Sequence, residues 1–327
     1  MLKKMIVLFL LVAVVATGVI SAGGKTQSGA QGKKVAYIVA DLENPFWKAL
    51  ADGFQDTAKS LGMVPNVFNS SGQPNTQMKN AQDCITMQYD AIAISATDSS
   101  TANAPILELN NAKIPVWIAH IAPDDPNAKY VSMIDAQNEG GCLDAGRYMA
   151  QEYKRRGMNG TAATITISLA RSNAKLRHKG FTAAMDEASI KIPHIKEAID
   201  YTRQESYRFT QDLLTANKDI SILWCNYDEA VLGAMQAIKD AGRQNDIILG
   251  GFDGSPESLQ AVLDGNINVM AIQPAYKHGA ILAEQMYGNL VKGEAVQSIS
   301  TPCPLTTTQN AKESVPVVLA DTFGPQK

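Results

Sequence analysis

The sequence predicts an α/β protein of two lobes, each built around a mostly parallel sheet. Two observations predict it. Short apolar runs alternate with segments of helical period from end to end, which is the pattern of βαβ units. The chain also has 327 residues, 45% hydrophobic and 19% charged, enough for two separate cores. That composition excludes a disordered chain. A formal net charge of −3 excludes binding to a phosphate backbone through charge alone, so no nucleic-acid partner is expected.

The elements follow in order. Met1–Lys4 carries two lysines, Met5–Ile20 has no charge, and Ser21-Ala22-Gly23-Gly24 is small. Residues 1–22 therefore read as a secretory signal peptide cut after Ser21 or Ala22, with no Cys for lipid attachment. The alternative is an uncleaved anchor, because about 17 apolar residues can just span a bilayer. Either way the protein is expected in the periplasm or cell envelope. Removing Lys3 and Lys4 takes the formal charge from −3 to −5. Residues 23–32, rich in Gly, Ser and Gln, read as a flexible tether.

Lys34–Ala40 is then an apolar run of the kind covered on both faces. Asn44–Leu61 places Phe46, Leu50, Phe54 and Ala58 at helical spacing, and Gly62 ends it. Strands are predicted at 64–68, 91–96, 114–119 and 130–134, with helices at 73–87 and 101–111. The theme restarts with a helix at 139–156, closed by Gly157. Strands follow at 163–168, 194–199, 220–225, 247–252 and 268–272, separated by helices at 174–188, 205–216, 229–241 and 256–263. A last helix covers 276–291. Ligands of such sheets bind where the carboxyl ends of the strands converge, so 40–46, 95–98, 119–121, 168–175, 227 and 252–254 are the segments to search.

Those segments hold no catalytic constellation. The chain lacks G-x-S-x-G, H-E-x-x-H and G-x-G-x-x-G. Gly23-Gly24-Lys25-Thr26 fails the phosphate-loop spacing, because position 19 is Val. Cys84, Cys142, Cys225 and Cys303 are far apart with no neighbouring His, so neither zinc nor another metal or cofactor is expected. They read as buried thiols, although three disulfide pairings are open in an oxidising compartment. Of the four histidines only His120 falls at a strand's carboxyl end; His178, between Arg177 and Lys179, reads as part of a solvated helix face. No enzyme activity is expected.

Asn44-Pro45-Phe46-Trp47, Arg177-His178-Lys179-Gly180-Phe181, Asp228-Glu229 with Gly233, Gly251-Phe252-Asp253-Gly254-Ser255-Pro256 and Lys292-Gly293-Glu294 occur in family order. Through these motifs the chain from about Lys33 to Pro316 resembles the type I periplasmic solute-binding proteins, in their ribose-type sugar-binding branch. The resemblance implies two Rossmann-like, doubly wound lobes on a three-strand hinge. It places crossovers near Ala136–Asn138, Gln273–Pro274 and Pro302–Pro304. The N-terminal lobe would then hold residues 33–136 plus 275–302, and the C-terminal lobe 137–274 plus 303–327. It also implies a monomer that closes on a small sugar-like ligand and delivers it to an ABC permease, or to a chemoreceptor or sensor kinase. A transcription regulator of this fold would need an N-terminal helix-turn-helix, where this chain has a leader.

Ligand-binding candidates combine both readings. The Asn44 amide donates and accepts, as a hydroxyl partner should, or it caps the following helix ahead of Pro45. Phe46 and Trp47 can stack on a sugar ring or pack in the core. Asp253 can accept two hydroxyl hydrogens or form an Asx turn with Gly254 and Ser255. Gln273 binds ligand or braces the hinge. Tyr201 matches a stacking aromatic of the family.

The remaining candidates depart from the ribose-type pattern. His120-Ile121 replaces an Asp-Arg pair, Lys175 an arginine, Tyr227 and Ser95 asparagines, and Ala40 a serine. Losing an ion pair and a planar fork of donors changes which hydroxyl pattern is read. The expected ligand is therefore a neutral deoxy sugar, furanose or polyol, with a nucleoside or autoinducer-like compound as the alternative.

Overall fold

A computed structural model describes residues 32–325. The predicted leader (1–22) and all of the predicted tether except Gly32 lie outside the described residues. So do the last two residues.

The first part of the chain runs β1 (Lys34–Val39), α1 (Pro45–Ser60), β2 (Val64–Asn69), α2 (Pro74–Thr86), β3 (Ala91–Ile94), α3 (Asn103–Asn111), β4 (Val116–Ala119) and β5 (Ser132–Ala136). The second part runs α4 (Asn138–Arg155), β6 (Thr161–Thr166), α5 (Ser172–Glu187), β7 (His194–Glu197), α6 (Arg203–Ala216), β8 (Ile220–Cys225), α7 (Asp228–Asp240), β9 (Ile248–Asp253), α8 (Pro256–Leu263) and β10 (Val269–Ile272). It closes with α9 (Ala275–Lys292), β11 (Ile299–Thr301), β12 (Leu305–Thr307) and α10 (Ala311–Phe323).

Two six-stranded sheets result, ordered β11-β5-β4-β3-β1-β2 and β12-β10-β9-β8-β6-β7. Each is the centre of one α/β lobe. All described strand pairs are parallel except β10 with β12, where Val269 faces Thr307. The chain changes sheet after Ala136, after Ile272 and between Thr301 and Leu305.

Side-chain alternation along β1 explains the layering. Val35, Tyr37 and Val39 enter one apolar cluster with α1 and α9, while Ala36 and Ile38 enter another with α2 and α3. A strand buried on both faces must be apolar at every position, and β1 is apolar from Val35 to Val39. The second sheet is covered likewise, with Ile165 and Leu223 on one face and Ile222 and Trp224 on the other. Helices α1 and α9 approach so closely that only glycine fits at the crossing. A Cβ on Gly53 would lie 2.0 Å from the Tyr276 carbonyl oxygen, and one on Gly279 2.0 Å from that of Leu50.

Three elements were absent from the sequence expectation: β11, β12 and α10. The two strands have three residues each, too short to show a period, and α10 carries Pro316 inside it. Helix α10 spans the two lobes. Val315 and Val318 join the second lobe's core, while Phe323 packs on that of the first. All four cysteines are buried and free. Among the described residues no helix is long and apolar enough to cross a membrane.

Candidate functional site

A cavity of about 710 Å³ opens between the lobes at the carboxyl ends of both sets of strands. Its volume lies in the range of small-molecule sites. The first lobe lines it from the β1–α1 turn with Asp41, Glu43, Asn44, Phe46 and Trp47, and also with Gln73 and Thr97. The second lobe contributes Arg171, Asn173 and Arg177 from around the start of α5, Tyr201 and Arg203 ahead of and within α6, then Tyr227 and Asp253. Gln273 lines it from the second crossover. Across the cleft, Ser172 N–H donates to Ser99 Oγ at 3.2 Å, so the lobes touch.

Local chemistry fixes each wall. Asn44 Oδ1 accepts from Phe46 N–H at 2.9 Å and caps α1, with Pro45 at the first helical position. Capping occupies the oxygen and leaves the amide nitrogen for a ligand. The Phe46 and Trp47 rings meet edge to face, with centroids 4.9 Å apart. Opposite them, the Glu205 carboxylate accepts from the backbone N–H groups of Ile199, Asp200 and Tyr201. That clasp holds Tyr201 at φ +55°, in line for the Arg171 guanidinium to lie 4.5 Å above its ring. Burial lowers the Arg171 pKa, while the charges of Tyr201 and Asp98 act the other way.

At the base of the cavity stands a polar network. Arg177, 3% exposed, donates from Nε to Asn138 Oδ1 at 2.8 Å and from a terminal nitrogen to the Asn226 carbonyl at 2.7 Å. Its guanidinium lies 3.6 Å from Asp253 Oδ1 and 4.0 Å above the Phe252 ring. Asp253 Oδ1 also accepts from Gln273 Nε2 at 2.5 Å, which leaves Gln273 Oε1 buried with no partner among the described residues. Of the buried side-chain atoms so orphaned, Oε1 and the cavity coincide only at Gln273. A buried acceptor without a donor is costly unless a ligand supplies one. Behind Asp253, burial and then the Asp253 charge push the Asp228 carboxyl up to about 8, against hydrogen bonds from Ser258, Ser255 and Gly254.

The structure brings seven of the ten candidates together: Asn44, Phe46, Trp47, Tyr201, Tyr227, Asp253 and Gln273. Three stand elsewhere. The Ser95 hydroxyl is buried against the Tyr37 hydroxyl at 2.5 Å, beneath the cavity. His120 is 1% exposed, has a φ of +71°, and its ring lies behind the aromatic wall against Phe46 and Trp47. Lys175 is exposed on α5, outside the lining. The guanidinium facing Tyr201 comes instead from Arg171, just before α5.

Arg171, Asn173, Arg177 and Arg203 are lining residues that the sequence reading did not select. Arg177 also corrects an expectation: it sits in the run read as a solvated face, where only Lys179 is exposed and His178 is half-buried. The signal that could have found it is helical phase, since Arg177 lies on the same face as the buried Asn173, Gly180 and Phe181. Backbone strain marks the site too. Of the seven described non-glycine residues with positive φ, Tyr201 and Asp253 line the cavity and His120 stands behind its aromatic wall.

Comparison with known proteins places this geometry in context. The profile of the family described as periplasmic binding protein domain matches residues 35–295. The ribose import binding protein RbsB of Salmonella typhimurium is 32% identical over 266 residues, covering 81% of this chain and 86% of that protein. A carbohydrate transporter solute-binding protein of Agrobacterium radiobacter, solved with D-arabinose, superposes with a TM-score of 0.81 at 22% identity, covering 89% of this chain and 99% of the other. A Mycobacterium smegmatis protein in complex with β-D-fucofuranose gives 0.80 at 22% identity, covering 88% and 97%.

Proposed function

The chain belongs to the periplasmic binding protein family, and from that premise we propose that it captures a small sugar or polyol between its lobes and delivers it to an ABC permease after export. The observation that carries this reading is the Asp253 carboxylate, which accepts from Gln273 Nε2, standing beside the unpartnered Gln273 Oε1, so that acceptor oxygens of both residues lie at the cavity base. They face a cleft that also holds the Phe46–Trp47 pair. Acceptor oxygens and aromatic rings lining one cavity suit the two kinds of surface of a sugar, hydroxyls at the rim and C–H groups on the face.

Capture works through closure. Ligand joins Asn44 and Thr97 of one lobe to Arg171, Tyr201 and Asp253 of the other. These contacts exist together only in the closed form, so binding shifts the open–closed population toward it. The names of the ribose, D-arabinose and β-D-fucofuranose binders support a pentose, furanose or deoxy-sugar size of ligand.

The test begins with residues 23–327, freed of any bound ligand by unfolding and refolding. Thermal shifts are recorded against pentoses, hexoses, deoxy sugars, polyols, nucleosides and amino acids. A sugar at about 100 times its dissociation constant should add roughly 2.7 kcal/mol of stability. Asp253→Ala should abolish that gain. Hits confined to amino acids or nucleosides would overturn the ligand class, and an undiminished gain in Asp253→Ala would overturn the site.

A further inference from the structure

Behind the aromatic wall, four side chains join end to end, with Asp135, His120 and His278 buried and Thr301 half-buried. His120 Nδ1 lies 3.1 Å from Asp135 Oδ1, His120 Nε2 lies 3.0 Å from His278 Nδ1, and His278 Nε2 lies 2.5 Å from Thr301 Oγ1. Both imidazoles are essentially inaccessible, at 1% and 0% exposed. The Phe46 and Trp47 rings rest edge-on against the His120 ring, with centroids 5.0 and 5.7 Å away.

The chain of bonds also touches all three crossovers. Asp135 stands one residue before the first, His278 lies in the opening turn of α9 after the second, and Thr301 ends β11 at the third. From Asp135 the connection continues. Asp135 Oδ1 accepts from Asn138 Nδ2 at 3.0 Å, and Asn138 Oδ1 accepts from Arg177, which lies beside Asp253 in the cavity.

Donor and acceptor rules give these bonds a direction. An ionised Asp135 only accepts, so His120 donates from Nδ1 and its Nε2 must accept. His278 then donates from Nδ1, and its Nε2 accepts from the Thr301 hydroxyl. Both rings are neutral and every atom is matched. One proton from solvent reverses part of the chain. His120 becomes an imidazolium beside Asp135 and donates from both nitrogens, His278 carries its single proton on Nε2, and Thr301 changes from donor to acceptor. A second proton would set two N–H groups against each other at 3.0 Å, so the pair takes up one.

We propose that His120 and His278 are positioning residues of the cleft, forming a one-proton relay that holds the Phe46–Trp47 wall and the crossovers in one arrangement when neutral and shifts them when it is protonated. It rests on the reading of the cleft as a sugar site only for its effect on affinity. The charged and titratable groups around the pair are few. Asp135 faces it from β5, Lys277 adjoins His278 on α9, and Arg177 reaches Asp135 through Asn138. The Cys303 thiol, influenced by Asp135, is neutral, since burial pushes it up to about 12. The neighbours from α1 are the Phe46 and Trp47 rings. Burial, then the charges of His120 and Lys277, hold His278 well below the usual imidazole range, so the second ring stays neutral when the pair takes up its proton.

The experiment is ¹H–¹⁵N NMR of imidazole and indole groups in ligand-free residues 23–327, from about pH 8 to about pH 5. The Trp47 indole is assigned by Trp47→Phe. His120 and His278 should share one midpoint with uptake of one proton, and the Trp47 indole should follow that midpoint. In His278→Asn, which keeps an amide donor toward His120 without titrating, the Trp47 response should move or vanish. Independent histidine midpoints, or a Trp47 indole that does not respond, would overturn the relay. In parallel, the dissociation constants of D-ribose and D-arabinose should rise at least about fivefold from pH 7.5 to 5 in the unaltered chain, and less than about twofold in His278→Asn. Equal ratios in the two proteins would overturn the link to affinity. Binding of neither sugar at either pH would count against a pentose as the ligand, and the NMR outcome would still decide the relay.

Discussion

Replacing Arg177 with methionine isolates what holds the cavity base together. Methionine keeps an apolar stem over the Phe252 ring, which the guanidinium covers at 4.0 Å, so packing changes little. The electrostatic losses are specific. Asn138 Oδ1 and the Asn226 carbonyl lose their donors at 2.8 and 2.7 Å, and Asp253 loses the cation 3.6 Å away. Each orphaned buried acceptor costs about 1–3 kcal/mol. Removing one partner of a buried ion pair costs about 3–5 kcal/mol. These terms overlap because they describe one guanidinium, so the expected loss is about 4 kcal/mol. At about 2–4 °C per kcal/mol, Tm should fall by about 8–16 °C at pH 7.5 in differential scanning calorimetry. The double variant with Asp253→Asn should recover about 1–3 kcal/mol relative to the sum of the single changes, because the carboxylate left uncompensated is gone. A fall below about 3 °C, or strict additivity in the double variant, would refute the assignment of Arg177 as the anchor of Asp253.

Three further outcomes follow from other parts of the molecule. Gly279→Ala brings a Cβ to 2.0 Å from the Leu50 carbonyl oxygen and should cost about 1–3 kcal/mol in urea unfolding. Gly140→Ala, whose nearest new neighbour is 4.0 Å away, should cost nothing, and equal midpoints for the two would contradict the close crossing of α1 and α9. The folded Asp228 carboxyl, pushed up to about 8 from 3.8, holds its proton where the unfolded chain has lost it. Its stabilising contribution is full below about pH 4 and is lost as pH rises through about 8, so Asp228→Asn should flatten the decline of Tm between pH 6 and 8.5; an unchanged slope would argue against it. The four thiols are buried, with Cys84 and Cys303 pushed up to about 12 by burial, so a thiol reagent should label the native chain slowly and all four after unfolding. Rapid native labelling would show that the thiols are reached in solution.

Much of the fold was legible because local and tertiary demands agree in it. A short apolar run such as Val35–Val39, rich in β-branched residues, fits a strand covered on both faces, and Asn44-Pro45 states the start of α1 through capping and a fixed φ. Where they diverge, the sequence was silent. β11 and β12 exist because neighbouring strands offer them hydrogen bonds, with Ile299 beside Ile134 and Thr307 opposite Val269. α10 accommodates Pro316 because both lobes pack against it.

By itself, the sequence determined the two sheets and the loops that carry the cleft, since strand ends and turn chemistry are local properties; the seven residues that meet there were reached with the family resemblance as well, which alone supplied Tyr201. Only the tertiary structure decided depth and partner. At position 120 the backbone is left-handed and the histidine ring packs behind the wall against Phe46 and Trp47. Helical phase turns Arg177 inward and leaves Lys175 in solvent, although only Leu176 separates them. His278 meets His120 across 158 positions of chain. Such a contact is fixed by how β4, α9 and β11 pack, and local sequence carries no information about that packing.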